Sequence, residues 1–155
     1  MQTIKFTVFG KPAQMGSKKA FVRGGRAIIT DDNSEKRKNW ANAVSAVAAA
    51  AMGSNPMATA AVKVKASFHF KRPNSHFGSG KNAEKLKDAA PELHTQTPDL
   101  DKLIRCLGDA MTGIVYRDDA LICSMVLDRH WTRSQERCEV EVTFCPVLEN
   151  VKGKQ

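Results

Sequence analysis

Between Ala60 and Phe70 the chain alternates without a break. Val62, Val64, Ala66, Phe68 and Phe70 fall on one side, and Lys63, Lys65, Ser67 and His69 on the other. Successive side chains of a strand point to opposite faces, so this segment is predicted to be a strand with one face buried and one wet. A single strand cannot bury that face alone. It requires neighbours in a sheet and a layer of other elements packed over its apolar side.

The rest of the sequence supplies both. Residues 3–9 (TIKFTVF) and 137–147 (RCEVEVTFCPV) alternate in the same way, and residues 120–131 (ALICSMVLDRHW) read as a further strand. Residues 20–30 form two apolar arms around Gly24-Gly25, a hairpin signal. A helix is predicted from about Glu35 to Met52, with Trp40, Val44 and Val47 on its buried face. Asp31-Asp32-Asn33-Ser34 offers the N-cap chemistry and Gly53-Ser54-Asn55-Pro56 the stop. After Pro98, the residues Leu100, Leu103, Ile104, Leu107, Met111 and Ile114 make one continuous stripe of a second helix, with Gly113 at its end or just beyond. Residues 71–97 show no sustained period, leave room for a short helix around 83–90, and are long enough to expect a functional or disordered loop. The order β, hairpin, α, β, α, β, β predicts an α+β fold: mainly antiparallel sheet with two principal helices on one face. A chain of 155 residues fits one domain, here 1–148, with a frayed tail at 149–155.

Several function classes drop out. No apolar run reaches the length of a membrane span, and the N-terminus lacks the basic, apolar and small-residue regions of a secretion signal. The four cysteines, Cys106, Cys123, Cys138 and Cys145, form no C-x-x-C pair and are expected to be reduced thiols of a cytoplasmic protein. The four histidines lack H-E-x-x-H or zinc-finger spacing, so exposed or core-edge roles are expected for them. Gly24-Gly25 has no phosphate-loop context, and neither Ser17 nor Ser34 has a nucleophile-elbow context.

Charge is distributed unevenly. Residues 1–98 carry 16 basic and 6 acidic side chains, whereas residues 99–155 carry 8 basic and 10 acidic ones. A net +10 in the first part predicts a surface that faces a polyanion. Lys11, Lys18, Lys19, Arg23, Lys71 and Arg72 are the expected phosphate contacts, and Phe77 in the long loop is a conceivable wedge between bases.

The acids of the second part concentrate at Asp99, Asp101, Asp109, Asp118 and Asp119, around the second helix and the turn after it. Singly, each has an ordinary explanation: carboxylates favour helix N-termini, and Asp-Asp is common in turns. Together, in an otherwise basic chain, they suggest a hard oxygen site for Mg²⁺ or Mn²⁺ on a phosphodiester-binding surface. Asp101 and Arg105 are helical neighbours placed by the 3.6-residue period at the edge of the apolar stripe. If Asp99 is the N-cap or the last extended residue before the helix, its carboxylate and that of Asp101 can converge. The Asp118-Asp119 turn can return to the same helix start if the following strand lies beside it.

Thr97-Pro98-Asp99-Leu100-Asp101-Lys102-Leu103, Arg105, Asp109-Ala110, Gly113 and Tyr116-Arg117-Asp118-Asp119-Ala120-Leu121-Ile122 resemble the signature of the RusA-type Holliday-junction resolvases. That resemblance implies a small, homodimeric, Mg²⁺-dependent endonuclease, often phage- or prophage-encoded, which cuts four-way DNA junctions in recombination and repair and leaves 5′-phosphates. By position it implies Asp99, Asp101 and Asp119 as metal-binding acids, with Asp109 and Asp118 as further acidic positions. Arg105 stands where the family commonly has Lys, and Lys102 where it commonly has Asn. Arg keeps the charge but cannot lose a proton, so electrostatic stabilisation is the role expected of Arg105, with Lys102 beside the DNA. The rival readings are a non-catalytic junction-binding protein and a generic Mg²⁺ nuclease acting on flaps or forks.

Overall fold

A computed structural model describes residues 1–16, 18–31 and 34–147, without the side chains of 18–21 and 28–31. Eight elements follow in the expected order: β1 (Thr3–Phe9), β2 (Lys18–Arg23), β3 (Arg26–Asp31), α1 (Ser34–Met52), β4 (Val62–Lys71), α2 (Leu100–Met111), β5 (Ile122–Thr132) and β6 (Arg137–Phe144). Asp32 and Asn33, expected to supply N-cap chemistry, Ser17 and the 149–155 tail lie outside the described residues, as do the side chains of Asp31, Lys18 and Lys19.

The alternating segment is β4, and it lies inside a four-stranded sheet of order β1-β6-β4-β5. β6 pairs antiparallel with both β1 and β4. β4 pairs parallel with β5, His69 opposite His130 and Phe70 opposite Trp131. The sheet is therefore mostly antiparallel with one parallel pair. That pair follows from connectivity: the chain leaves β4 through the long loop, returns down α2 and re-enters the sheet in its original direction, as a parallel crossover must. β2 and β3 form the separate hairpin around Gly24-Gly25, both with positive φ.

The apolar faces of β1 (Ile4, Phe6, Val8), β4 and β6 (Cys138, Val140, Val142) join the buried sides of both helices in one core cluster. α1 buries Trp40, Val44, Ala48 and Met52, one residue per turn, and Val47 only packs at the margin. Small Ala48 at the centre lets α1 approach α2, to which Ser45 also donates a hydrogen bond at the Ala110 carbonyl, 2.9 Å. The opposite face of the sheet, with Lys5, Lys63 and Glu139, stays exposed.

Two boundaries and one short element differ from expectation. α2 stops at Met111, because Thr112 turns extended (ψ 132) and Gly113 takes φ 81; Ile114 still packs on the core from beyond the helix. β6 ends at Phe144, two residues before Pro146, which has no N–H for a ladder. No helix forms at 83–90. That segment has no apolar stripe to bury, so short helical propensity finds no tertiary support. The loop instead makes single 3₁₀ turns at Asn74–His76 and Gly80–Asn82, and long-range backbone bonds such as Lys87 N–H to the His76 carbonyl, 2.9 Å. Its far end is pinned on Trp131, with His94 stacked at 4.1 Å and His76 edge-on at 5.1 Å. Among the described residues no helix is long and apolar enough to cross a membrane, and all four cysteines are free.

Candidate functional site

α2 organises the acidic positions because its buried side leaves one ridge outside. Leu103, Ile104, Cys106, Leu107, Gly108, Ala110 and Met111 face the core. Asp101, Arg105 and Asp109, spaced four apart, fall on the remaining ridge and are exposed. The stripe expected from the large residues alone put Asp101 and Arg105 at its edge. Burial of the small residues Gly108 and Ala110 with Cys106 rotates the contact face and carries the pair outward.

At the N-terminal end of α2, Asp99 is the last extended residue (φ −74, ψ 138) and caps no helical N–H with its side chain. Its carboxylate, about half exposed at 49%, stands 3.3 Å from the Lys102 ammonium one turn on. Its backbone N–H donates to Gln14 Oε1 at 2.8 Å, and Met15 N–H donates to the Lys102 carbonyl at 3.2 Å. From β5, the Arg129 guanidinium donates to the Gln96 and Pro98 carbonyls at 2.8 and 2.7 Å. The Thr97–Pro98 bond between them is cis. The segment carrying Asp99 is thus tied to two distant parts of the chain. Neither Gln14 nor Arg129 has any motif around it, which is why sequence reasoning missed both.

The other acids gather at the opposite end. Tyr116, fully buried, donates its hydroxyl to the Gly108 carbonyl at 2.8 Å. Burial, then the carboxylates of Asp119 and Asp109, push this hydroxyl well above the ordinary tyrosine range. Both acids therefore act on the C-terminal end of α2. Asp109 lies in a last turn that holds no basic residue, where the helix dipole disfavours an anion by ~0.3–1 kcal/mol. Asp118 accepts the Ala120 N–H at 2.9 Å as the cap of a 3₁₀ turn, which leaves Asp119 as the uncommitted member of that pair. Burial also raises the Cys106 thiol to about 11, so it is no nucleophile.

The structure thus places Asp99 and Asp101 at the N-terminal end of α2, and Asp109 and Asp119 around Tyr116 at its C-terminal end. α2 runs 12 residues, ~18 Å at 1.5 Å per residue. Along β5, Arg129, which holds the approach to Asp99, is ~23 Å from Ile122 beside Asp119. The Asp118-Asp119 turn does not return to the helix start, because the strand that follows runs antiparallel to α2 and begins at its far end. Among the described residues, no three Asp, Glu, His or Cys side chains form a group able to hold a metal ion.

Of the basic positions, Lys11 and Lys71 are exposed and line one open groove at the end of the sheet with Arg133, Phe9 and Glu136. Arg23 is exposed at the end of β2. Arg72 is occupied: it donates to the Pro91 carbonyl at 2.7 Å and lies 5.5 Å from the Trp131 ring, so it holds the loop. Phe77 is half-buried beneath Arg133, at 5.2 Å. Of the histidines, His130 is exposed and His69, half-buried, stacks on it, whereas His76 and His94, expected at exposed or core-edge positions, are buried against Trp131.

Residues 10–143 match the model of the family described as Endodeoxyribonuclease RusA. The chain is also 26% identical over 142 residues to the "Uncharacterized protein YqaN" of Bacillus subtilis (strain 168), which covers 92% of this chain and 96% of that protein.

Proposed function

The chain belongs to the RusA endodeoxyribonuclease family, and from that premise we propose that it is a divalent-metal-dependent endonuclease resolving four-way DNA junctions in the cytoplasm, during recombination and repair. The observation that carries this reading is the Asp99-x-Asp101 pair, held at an exposed helix end inside the matched span of a chain whose first 98 residues are strongly basic.

The donor set fits Mg²⁺, or Mn²⁺ in its place: carboxylate oxygens, exposed, with no thiol or imidazole beside them. Asp99 and Asp101 would hold the ion. Bound there, it supplies a polarised water and positive charge at the scissile phosphate. The ~18 Å length of α2 keeps Asp119 from that pair within one chain. We infer that the working unit is a C₂ homodimer, in which Asp119 of the partner subunit joins Asp99 and Asp101. A two-fold axis also provides the two equivalent sites that paired cleavage of a four-way junction needs.

The remaining roles belong to fixed charges. Arg105 sits one turn beyond Asp101 on the same exposed ridge, and a guanidinium is a fixed charge suited to stabilising phosphate and not to acting as a base. Lys102 neutralises Asp99 until the site is loaded. Lys11, Lys18, Lys19, Arg23 and Lys71 hold the DNA backbone. Cleavage of a synthetic four-way junction beside linear duplex, with and without Mg²⁺, tests the reading. Paired nicks on the junction alone, lost on chelation, are the expected result. Tight binding without cutting would mark a non-catalytic junction binder, and equal cutting of flaps and forks a generic nuclease.

A further inference from the structure

A cavity of about 540 Å³ lies between the end of β1, the first half of α1 and the approach to α2. Phe9, Pro12, Trp40, Ala43 and Pro98 give it flat, mostly apolar walls, while Lys11 and Lys36 stand among its lining residues with no acid. Gly10, at φ 126, turns the chain so that its backbone passes over the Trp40 ring. The volume falls in the range of small-ligand pockets, ~300–1,000 Å³. Trp40 is buried and lends the wall its ring edge beside Gly10, whereas Phe9 is 61% exposed and presents an open aromatic face.

The geometry points to this cavity as the receptor for a single unstacked nucleobase of the DNA strand being cut, a role that rests on the nuclease reading and makes cleavage depend on the base at that position. The chemistry matches part by part. A base offers a flat face to the exposed Phe9 ring, with the edge of the Trp40 ring behind it in the wall. Its flanking phosphates meet Lys11 and Lys36. The amide of Asn39, also in the lining, adds a donor and an acceptor for a base edge. Bases at a strand crossover are the least costly to extrude, because their stacking is already interrupted. The cavity also touches the acid site directly: Thr97 and Pro98 line it immediately before Asp99, and Gln14, another lining residue, accepts the Asp99 N–H. A base seated here places the next phosphate beside Asp99 and Asp101.

The test needs no cleavage. In the ¹⁵N-labelled full chain, whose two tryptophans are told apart by Trp40→Phe, the Trp40 indole signal is followed during titration with each of the four deoxynucleoside 5′-monophosphates and with deoxyribose 5-phosphate. The expected result is a saturable shift with at least one nucleotide, none with the sugar phosphate, and a fixed Trp131 signal. No shift with any nucleotide, or an equal shift with the base-free phosphate, overturns the proposal. A Trp40 signal that moves on protein dilution instead would assign the cavity to a second copy of the chain, and overturns it equally. On a four-way junction, one abasic position near the crossover should slow cleavage roughly 5- to 150-fold, the worth of one base–aromatic stack. Ala43→Leu, which fills the cavity from a half-buried helix position, should impose that loss on the intact junction and add nothing to the abasic one. Nucleotide binding without junction cleavage would refute the nuclease reading and keep the pocket. Cleavage indifferent to every abasic position would do the reverse.

Discussion

Tyr116→Phe removes one hydroxyl and with it one hydrogen bond, 2.8 Å to the Gly108 carbonyl. A neutral hydrogen bond contributes ~0.5–1.5 kcal/mol net, and an orphaned buried partner would raise the cost. Gly108 is not orphaned, because Thr112 still donates its backbone N–H and its Oγ1 to the same carbonyl, both at 3.1 Å. The loss therefore falls at about 1 kcal/mol or less, some 2–4 °C in midpoint for a chain of this size. The pH dependence separates this bond from simple packing. Burial first, then Asp119 and Asp109, raise the native hydroxyl above the unfolded value near 10. Above pH ~10 the unfolded chain gives up its proton while the native chain keeps it, so stability falls as pH rises, and Tyr116→Phe should flatten that fall. Tyr116 is the single tyrosine of the chain, so an ultraviolet titration of tyrosinate reads it alone. Asp119→Asn and Asp109→Asn should each bring its titration down, and Asp99→Asn should leave it in place. An effect of Asp99→Asn as large as that of Asp119→Asn would refute the separation of the acids along α2. An ordinary tyrosine titration in the folded protein would refute the burial itself.

Asp101→Asn keeps the shape of the side chain and removes a hard anionic ligand, so Mg²⁺-dependent junction cleavage should vanish while junction binding holds or tightens; cleavage near the wild-type rate would defeat the metal-site assignment. Junction affinity should fall steeply with salt, and charge reversal at Lys18 and Lys19, or at Lys11 and Lys71, should flatten the log–log slope by ~0.9 for each phosphate no longer neutralised; an affinity unchanged by salt would reject the basic surface. Burial, then Arg129, depress the His94 pKa, so the unfolded chain takes up a proton first as pH falls below ~6.5 and stability drops there. Amide protection factors across residues 72–97, taken relative to the intrinsic exchange rate at each pH, should fall in that window and lose part of their pH dependence in His94→Phe; protection flat with pH would contradict it. Light scattering should give a dimer, and mixing Asp101→Asn chains with Asp119→Asn chains should restore nicking that neither shows alone; no recovery in the mixed dimer would rule out a site shared across the two-fold axis.

The elements were legible because each carries its own period. Alternation in residues 62–70 and the stripe from Leu100 to Met111 are properties of a dozen residues at most, and the structure realises them nearly to the residue. Asp99 as the last extended residue was legible for the same reason, since Pro98 and the stripe bracket it. What could not be read locally is what depends on partners far along the chain. Gln14 at the Asp99 amide and Arg129 at the Pro98 carbonyl lie 85 and 31 residues away from their partners. The fate of Arg72 turns on Pro91 and Trp131, and that of residues 83–90 on the absence of any surface for a helix to bury. The parallel pairing of β4 with β5 is likewise set by which edge of the sheet the crossover reaches, and no side-chain pattern encodes it.

The separation of the acids follows from a length that the sequence does contain. Asp101 and Asp119 are 18 residues apart, which in an arbitrary coil places no limit on their approach. Once residues 100–111 are helical and the following strand runs back along the sheet, the same interval becomes a ruler with one acid group at each end. Motif spacing specifies residue types, and it is the direction of the next element that decides whether they meet within one chain. Here that direction carries Asp119 away from Asp99. On the proposed reading, two copies related by a two-fold axis set one ruler against the other, so that Asp119 of the partner subunit would meet Asp99 and Asp101. A dimer that is required for this reason should lose metal binding and cleavage together when it is diluted or its interface is broken.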